Sequence, residues 1–206
     1  TEDIYLIFYF FSLVFIFFVF SNYESNFTSI LLSLTSSISN VGISKNNVPS
    51  NLSFVFLILV IIGGSFFSTS SGIRFIKIHS LITFSLNELL SHAKPKHVFN
   101  SKLAFSDKNL HQSEINKYFL SVVIFIISLF IITFLLTIFD NSFSESFKIG
   151  ILTIMNTVNS SMYGLNDYNF YTIDIFSKTI LMIFMIIGRV ELLTLFILLK
   201  KFLFKN

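Results

Sequence analysis

Two short runs of hydroxyl and amide side chains, about 120 positions apart, are the part of this sequence best suited to chemistry. The run at 35–42 reads TSSISNVG, and the run at 156–164 reads NTVNSSMYG. Backbone carbonyls in such a turn can replace the hydration shell of a monovalent cation, with polar side chains as braces and a glycine for backbone freedom. Either run alone fits an ordinary buried turn, but two runs in matching positions favour a cation path.

Each polar run overlaps the end of a short apolar segment that is rich in hydroxyl side chains. These segments are 28–39 and 145–159. A 12-residue helix rises about 18 Å, which is little more than half of the hydrocarbon core of a bilayer. Such a half-helix must turn back, and irregular backbone at that depth is tolerated only inside protein or beside a water-filled cavity. The negative end of the helix dipole then points inward, where it favours a cation.

The composition predicts that most of the chain lies in lipid. Hydrophobic residues make up 53% of the 206 residues and charged residues 12%, against about 25% charge in a soluble domain. This excludes a disordered chain, and the lack of cysteine excludes a disulfide-stapled domain. Four apolar stretches are long enough, or nearly long enough, to cross a bilayer. They are 4–20, 52–62 with a continuation from 73, 118–139 and 175–199.

Basic residues are concentrated between the second and third of these stretches. Seven lie there, namely Arg74, Lys77, Lys94, Lys96, Lys102, Lys108 and Lys117, and the C-terminal tail adds Lys200, Lys201 and Lys205. By the positive-inside rule, the 74–117 loop and the C-terminus are predicted to be cytoplasmic in a multi-pass protein of the cytoplasmic (inner) membrane. The two half-helices then enter from the outer side.

The second span is interrupted by GGSFFSTSSGIR at 63–74. Its glycines weaken a helix, and its hydroxyls compete for the backbone hydrogen bonds. Either the helix ends near the cytoplasmic surface, or the segment forms a movable loop below the ion site.

Arg189 interrupts the fourth span. It lies 11 residues before Lys200, about 16 Å along a helix axis, and therefore near the middle of a bilayer. An arginine at that depth costs on the order of 2.5–3.5 kcal/mol, so it is expected to face a wet cavity or a partner. It is either a structural clamp or an electrostatic gate opposite the 63–72 loop, while Glu191 points to another side of the helix.

These elements form two copies of one unit, in which a span, a half-helix with a polar turn and a second span follow one another. We predict an all-α membrane protein with two membrane–pore-loop–membrane repeats, comprising four spanning helices and two re-entrant pore helices. The first repeat covers 1–72, a cytoplasmic connector and helix extension covers 73–116, and the second repeat covers 117–206. Pores of this kind use four such units, so two make half a pore.

Two motifs resemble those of Trk/Ktr-type potassium uptake proteins. GGSFFSTSSGIRFIKI at 63–78 is similar to the GG-x-x-GSTxGGIK-x-x-R/K segment of that family. IGRVELLTLFILL at 187–199 is similar to the closing segment of the family, GRLE followed by an apolar helix end. The resemblance covers nearly the whole chain, as the C-terminal two of the family's four repeats.

The resemblance implies a potassium-conducting membrane subunit without a cofactor, in which backbone carbonyls bind the transported K⁺. The filter residues that it implies are Ser39, Asn40, Val41, Gly42, Asn159, Ser160, Ser161, Met162 and Gly164. The gate residues that it implies are Gly63, Gly64, Ser68, Thr69, Gly72, Arg189 and Glu191.

The resemblance also implies several partners. The missing N-terminal half or another copy of the chain would complete the pore, and complete pores would form a homodimer. A cytosolic nucleotide-binding subunit would regulate them. Binding to nucleic acid has no support beyond the modest basicity of the connector.

A second interpretation stays open, in which the chain is a truncated non-conducting remnant or a membrane interaction module. Met162 stands about where the family has a filter glycine, and Phe66 and Phe67 replace small residues of the gate loop. An enzyme is not expected, because the sequence shows no nucleophile–base pair, Walker loop or dinucleotide motif.

Overall fold

The computed structural model describes residues 2–20, 27–44, 52–63, 73–93, 112–139, 142–165 and 173–189, with residues 168, 170, 171 and 201. These residues are mostly helical, in agreement with the predicted all-α class. In chain order the elements are α1 (Glu2–Phe20), α2 (Phe27–Ile38), α3 (Ser53–Ile61), β1 (Ile62–Gly63), β2 (Ile73–Arg74), α4 (Phe75–Ala93), α5 (Gln112–Ile138), α6 (Phe143–Ile154), a 3-10 turn (Ser161–Tyr163) and α7 (Ile175–Arg189).

One helix within these ranges is long and apolar enough to cross a bilayer, judged by length and composition. It is Glu114–Ile138 within α5, whose mean hydropathy is 3.1. The other three predicted spans stay predictions.

The helices follow each other in two similar units. In the first unit α2 packs against both α1 and α3, and in the second α6 packs against both α5 and α7. The rings of Phe17 and Phe56 join α1 to α3 with centroids 5.1 Å apart, and those of Phe139 and Phe176 join the end of α5 to α7 at 6.1 Å. The two units meet where α3 contacts α6 and the 3-10 turn.

The two short helices have the same length, 12 residues each. The prediction for the first, 28–39, is correct to within one residue. The prediction for the second, 145–159, is wrong at its end, because Asn156 has a left-handed backbone with φ 53° and α6 ends at Ile154. Its start is fixed by Ser142, whose Oγ accepts from the backbone N–H of Glu145 at 3.3 Å and thereby caps the helix.

Several hydroxyl side chains inside the short helices bond to the backbone of their own helix. Ser33 donates to the carbonyl of Ser29 at 2.8 Å, and Ser37 donates to that of Ser33 at the same distance. Thr153 donates to the carbonyl of Ile149 at 2.7 Å. Because these hydroxyls are satisfied locally, a serine-rich helix can lie in apolar surroundings.

One face of α5 packs against α6. Its buried residues recur at helical spacing, at Ile124, Phe125, Ser128, Leu129, Ile132, Thr133 and Leu136. Gly150 of α6 allows the close approach, since a Cβ there would lie 3.0 Å from Cγ2 of Ile132. The opposite face of α5 is exposed and equally apolar, with Phe119, Ile126, Phe130 and Phe134.

The predicted interruption of the second span is present. α3 ends at Ile61, and β1 pairs in parallel with β2, so that Ile62 lies opposite Ile73 and Gly63 opposite Arg74. The helix resumes at Phe75, two residues later than predicted. The paired strands hold together the two ends of segment 64–72, which itself lies outside the described residues.

Candidate functional site

α2 ends in a Schellman motif immediately before the first predicted filter glycine. The N–H of Asn40 donates to the carbonyl of Ser37 at 3.2 Å, and the N–H of Val41 donates to that of Ser36 at 2.9 Å. Asn40 has a left-handed backbone with φ 57°, which asparagine tolerates better than most residues. The chain therefore turns sharply within the predicted filter residues.

Ser36 braces the segment that follows this cap. Its carbonyl accepts from the N–H groups of Val41 and Gly42, and its Oγ accepts from the N–H of Ile43 at 2.6 Å. One residue thus accepts hydrogen bonds from three consecutive N–H groups. The chain must turn around Ser36 to make these bonds, and Gly42 supplies the left-handed φ of 83° for that turn. The sequence predicted hydroxyl donors that brace carbonyls, whereas Ser36 braces the loop as an acceptor.

α6 ends in the same motif. The N–H of Asn156 donates to the carbonyl of Thr153 at 3.1 Å, and the N–H of Thr157 donates to that of Leu152 at 2.9 Å. Asn40 and Asn156 are therefore structural equivalents, 116 positions apart. The predicted pairing of 35–42 with 156–164 is therefore wrong in register. Each helix is capped by asparagine and not by glycine, so 35–42 corresponds to 151–158.

The two loops lie side by side. The N–H of Val158 donates to the carbonyl of Val41 at 3.3 Å, and the hydroxyls of Ser44 and Ser161 are 3.3 Å apart. Both pairs are separated by 117 positions, so the two segments run in the same direction. Gly42 permits this contact, since a Cβ there would overlap the carbonyl oxygen of Val158. Each contact joins a residue of one predicted filter to a neighbour of the other filter, Val41 and Gly42 to Val158, and Ser161 to Ser44.

The remaining residues of the second predicted filter form the 3-10 turn and the chain around it. Met162 is buried, and its sulfur accepts a weak hydrogen bond from the hydroxyl of Ser37 at 3.7 Å. Gly164 ends the turn in a left-handed conformation, with φ 68°. Met162 therefore ties the second loop to the first short helix instead of forming part of an open backbone segment.

Lys148 is a site residue that the sequence analysis missed. It lies in α6 and is half-buried, and its Nζ donates to the carbonyl of Gly164 at 3.1 Å. A lysine in a short, mainly apolar segment, three residues after Glu145, was a signal that could have singled it out. The carbonyls of Val41 and Gly164, both predicted ligands of K⁺, accept hydrogen bonds within the chain.

A cleft of about 800 Å³ lies beside the second loop, between α6 and α7. Its walls are mainly apolar, with Leu152, Leu181 and Met185 among them, and Asn159 and Ser160 add polar groups. Tyr168 also lines it. Burial raises the pKa of the Tyr168 phenol, and the charge of Glu145 raises it further, so the phenol stays neutral well above pH 7.

Of the predicted gate residues, the structure describes Gly63 and Arg189. Gly63 pairs with Arg74 in the two-stranded ladder. Arg189 is exposed at the end of α7, directly after Gly188, where a Cβ would overlap the carbonyl oxygen of Ile154. Asn156 strengthens this contact by donating from Nδ2 to the carbonyl of Met185 at 3.0 Å.

Arg189 therefore follows a point at which α7 touches the carboxyl end of α6. The other predicted gate residues, Gly64, Ser68, Thr69, Gly72 and Glu191, lie outside the described residues, as do Phe66 and Phe67.

Metal-binding side chains do not cluster in the part of the chain that the structure describes, where no three His, Asp or Glu could hold one ion. No protein-family profile and no curated protein matches the chain. The functional argument therefore rests on the geometry of the two loops and on the motifs of the sequence.

Gly42→Ala should destabilise the protein far more than Gly150→Ala. The first change places a side chain at a left-handed φ and against backbone, so we expect the free energy of unfolding to fall by roughly 2–4 kcal/mol. The second change meets only side-chain atoms of α5 at 3.0 Å or more, and we expect about 1 kcal/mol or less. Thermal unfolding in detergent, followed by circular dichroism, measures both, and equal shifts would contradict the close contact of the loops.

Proposed function

We propose that the chain conducts K⁺ across the cytoplasmic membrane, as half of a Trk-type pore of four membrane–pore-loop–membrane repeats. The observation that carries this proposal is the pair of loops at 40–44 and 156–161. Two short helices of equal length end in the same cap, and the backbone segments after them run side by side in one direction. Neighbouring quarters of the proposed pore would place their loop segments next to each other in this way.

The apolar outer surface supports a bilayer as the surroundings of the helices. The exposed faces of α1 and α5 carry large aromatic side chains, namely Phe8, Phe11, Phe15, Phe119, Phe130 and Phe134. Each of these residues is at least 60% exposed. A soluble monomer rarely exposes so large a continuous apolar surface, whereas lipid tails accept it. We therefore retain four spans and two re-entrant helices within this proposal.

The ends of α2 and α6 supply the electrostatics. Both helices direct their carboxyl ends, and hence their partial negative charges, toward the loops. A potassium ion would lose water there and bind to backbone carbonyls of 39–42 and of the second loop, from the equivalent segment 155–158 to the predicted filter at 159–164. The carbonyls of Val41 and Gly164 already accept hydrogen bonds, so other carbonyls of these segments and of the partner repeats would contribute more.

The interrupted second span and Arg189 provide the proposed gate. The β1–β2 ladder pairs residues 62–63 with 73–74, on either side of the predicted gate loop in the sequence. Arg189 follows the contact of Gly188 with the end of α6, close to the carboxyl end of one proposed pore helix. Its positive charge would oppose a cation in the same passage.

The proposal requires partners. Two repeats form half of a ring, so the missing N-terminal half or another copy must supply the rest. A homodimer of complete pores and a cytosolic nucleotide-binding regulator belong to the same proposal.

A second candidate function, a non-conducting remnant or membrane interaction module, is favoured by one specific set of contacts. The bonds of Val158 to Val41 and of Lys148 to Gly164 engage carbonyls that a filter would leave for the ion. Transport measurements distinguish the two functions.

Membrane topology can be tested with single cysteines, because the chain contains none. Asn116 and Ser144 are exposed near opposite ends of α5. In intact cells, Ser144→Cys should react with a membrane-impermeant maleimide, and Asn116→Cys should react only after the membrane is permeabilised. The cysteine-free parent is the control. Labelling of both positions in intact cells would contradict a spanning α5.

Transport can be tested in a potassium-uptake-deficient bacterium. Co-expression of the chain with a complementary two-repeat half should restore ⁸⁶Rb⁺ influx, and growth at low K⁺ should follow. The complementary half expressed alone is the control. If influx is absent with every partner, including a second copy of this chain, the transport proposal fails and the remnant is favoured.

Arg189→Ala should raise the leak current of the reconstituted pore several-fold, because it removes a fixed positive charge from the ion path. Arg189→Lys keeps the charge and should leak far less. The measurement is single-channel current in a planar bilayer. Unchanged current in Arg189→Ala would remove the gate role and leave the fold and the pore loops unaffected.

A further inference from the structure

Lys148 presents a cation to a backbone carbonyl of the second loop from within the protein. Its Nζ lies 3.1 Å from the carbonyl oxygen of Gly164, which is its hydrogen-bond partner among the described residues. Glu145, the nearest carboxylate along α6, instead accepts from the hydroxyl of Ser142 at 2.8 Å. Within the described part of the chain, the ammonium of Lys148 therefore bonds to a neutral carbonyl and not to Glu145.

The position of this contact is defined by the helix and the returning chain. Lys148 precedes the last residue of α6, Ile154, by six positions, which is about 9 Å along the helix axis. Gly164 lies at the far end of the returning segment, beyond the 3-10 turn. Gly164 has a left-handed backbone, and the place of a Cβ there lies 3.1 Å from Nζ of Lys148 and 3.5 Å from Oγ of Ser53 in α3.

An alkylammonium and K⁺ are alike in the chemistry that matters at a carbonyl. Both are monovalent cations that bind neutral oxygens, and two cations cannot share one carbonyl at close range without strong repulsion. A lysine also has a flexible four-carbon stem, so its head group can leave the carbonyl without disturbing the helix.

We propose that Lys148 is a tethered competitor of the transported cation, which holds the outer carbonyl of the second filter segment and sets how tightly that segment binds K⁺. This inference rests on the proposed function, because it assigns a specificity-determining role within the same site. Binding of K⁺ at Gly164 displaces the ammonium, and release of K⁺ lets it return. No covalent step is involved.

The first test compares K⁺ binding to purified variants in lipid nanodiscs by calorimetric titration with KCl. Lys148→Met keeps the length of the side chain and removes the charge, and its affinity for K⁺ should rise about tenfold. Lys148→Arg keeps the charge and should stay close to the parent. Lys178→Met is the matched control, because Lys178 also donates to a backbone carbonyl, that of Tyr171 at 3.3 Å, outside the filter.

The second test gives a result even where a variant fails to fold, since it uses the unaltered protein. The rate at which an amine-reactive ester modifies Lys148 is measured by mass spectrometry in KCl and in N-methylglucamine chloride at equal ionic strength. Competition predicts that K⁺ raises the rate at Lys148 several-fold and leaves the rate at Lys178 unchanged. Equal rates in both salts, or a weaker affinity in Lys148→Met, would overturn the proposal.

The two proposals fail in different ways. If K⁺ raises the modification rate of Lys148 but ⁸⁶Rb⁺ influx is absent, the transport proposal fails and the competition at the carbonyl stands. Normal influx, together with a Lys148 that is insensitive to K⁺, overturns the competition and retains transport.

Discussion

The fold depends on how two short helices end inside the protein. The last turn of a helix leaves four carbonyls without intrahelical partners, and a buried backbone group without a partner costs about 1–3 kcal/mol. Asn40 and Asn156 meet this requirement by adopting a left-handed backbone, which turns the next N–H groups back onto the last turn. The positions of these two caps determine where each loop begins. They therefore determine which residues of the two loops can touch.

The contact between the loops restricts any ion path. Backbone of Gly42 lies directly against Val158, and Val41 and Val158 share a hydrogen bond, so an ion cannot pass between the two segments at that level. A path must run along one flank of the pair, where other protein has to form the opposite wall. In the proposed pore, two adjacent segments with one common flank would form part of a ring. The need for partner repeats would then follow from the loop contact as well as from the number of repeats in the sequence.

The sequence predicted the features that depend on composition and periodicity. These include the first short helix, the existence of the second, and the interruption after α3. It failed on the register of the second run, because the two runs were paired by residue type, each as a polar stretch that ends in glycine. The roles of the two glycines differ physically: Gly42 allows a close backbone contact, whereas Gly164 ends a 3-10 turn. The hydrogen bond of Lys148 to Gly164 could not be predicted either. It joins a helix to a turn 16 positions later, and no periodic pattern in the sequence indicates that contact.

The charges around α6 act at two positions along the helix, its middle and its carboxyl end. Lys148 lies near the middle of the helix and binds the returning chain, while Arg189 follows the contact of α7 with the last turn. The carboxyl end of a helix carries a partial negative charge of about half an electron, which lowers the cost of a nearby arginine in a medium of low dielectric constant. The same partial charge would attract a cation in the passage, so the arginine and the ion would compete for the end of α6. At the other position, the ammonium of Lys148 and the ion would compete for one carbonyl. A single helix would then regulate a passing cation at two depths, once by its dipole and once by its lysine.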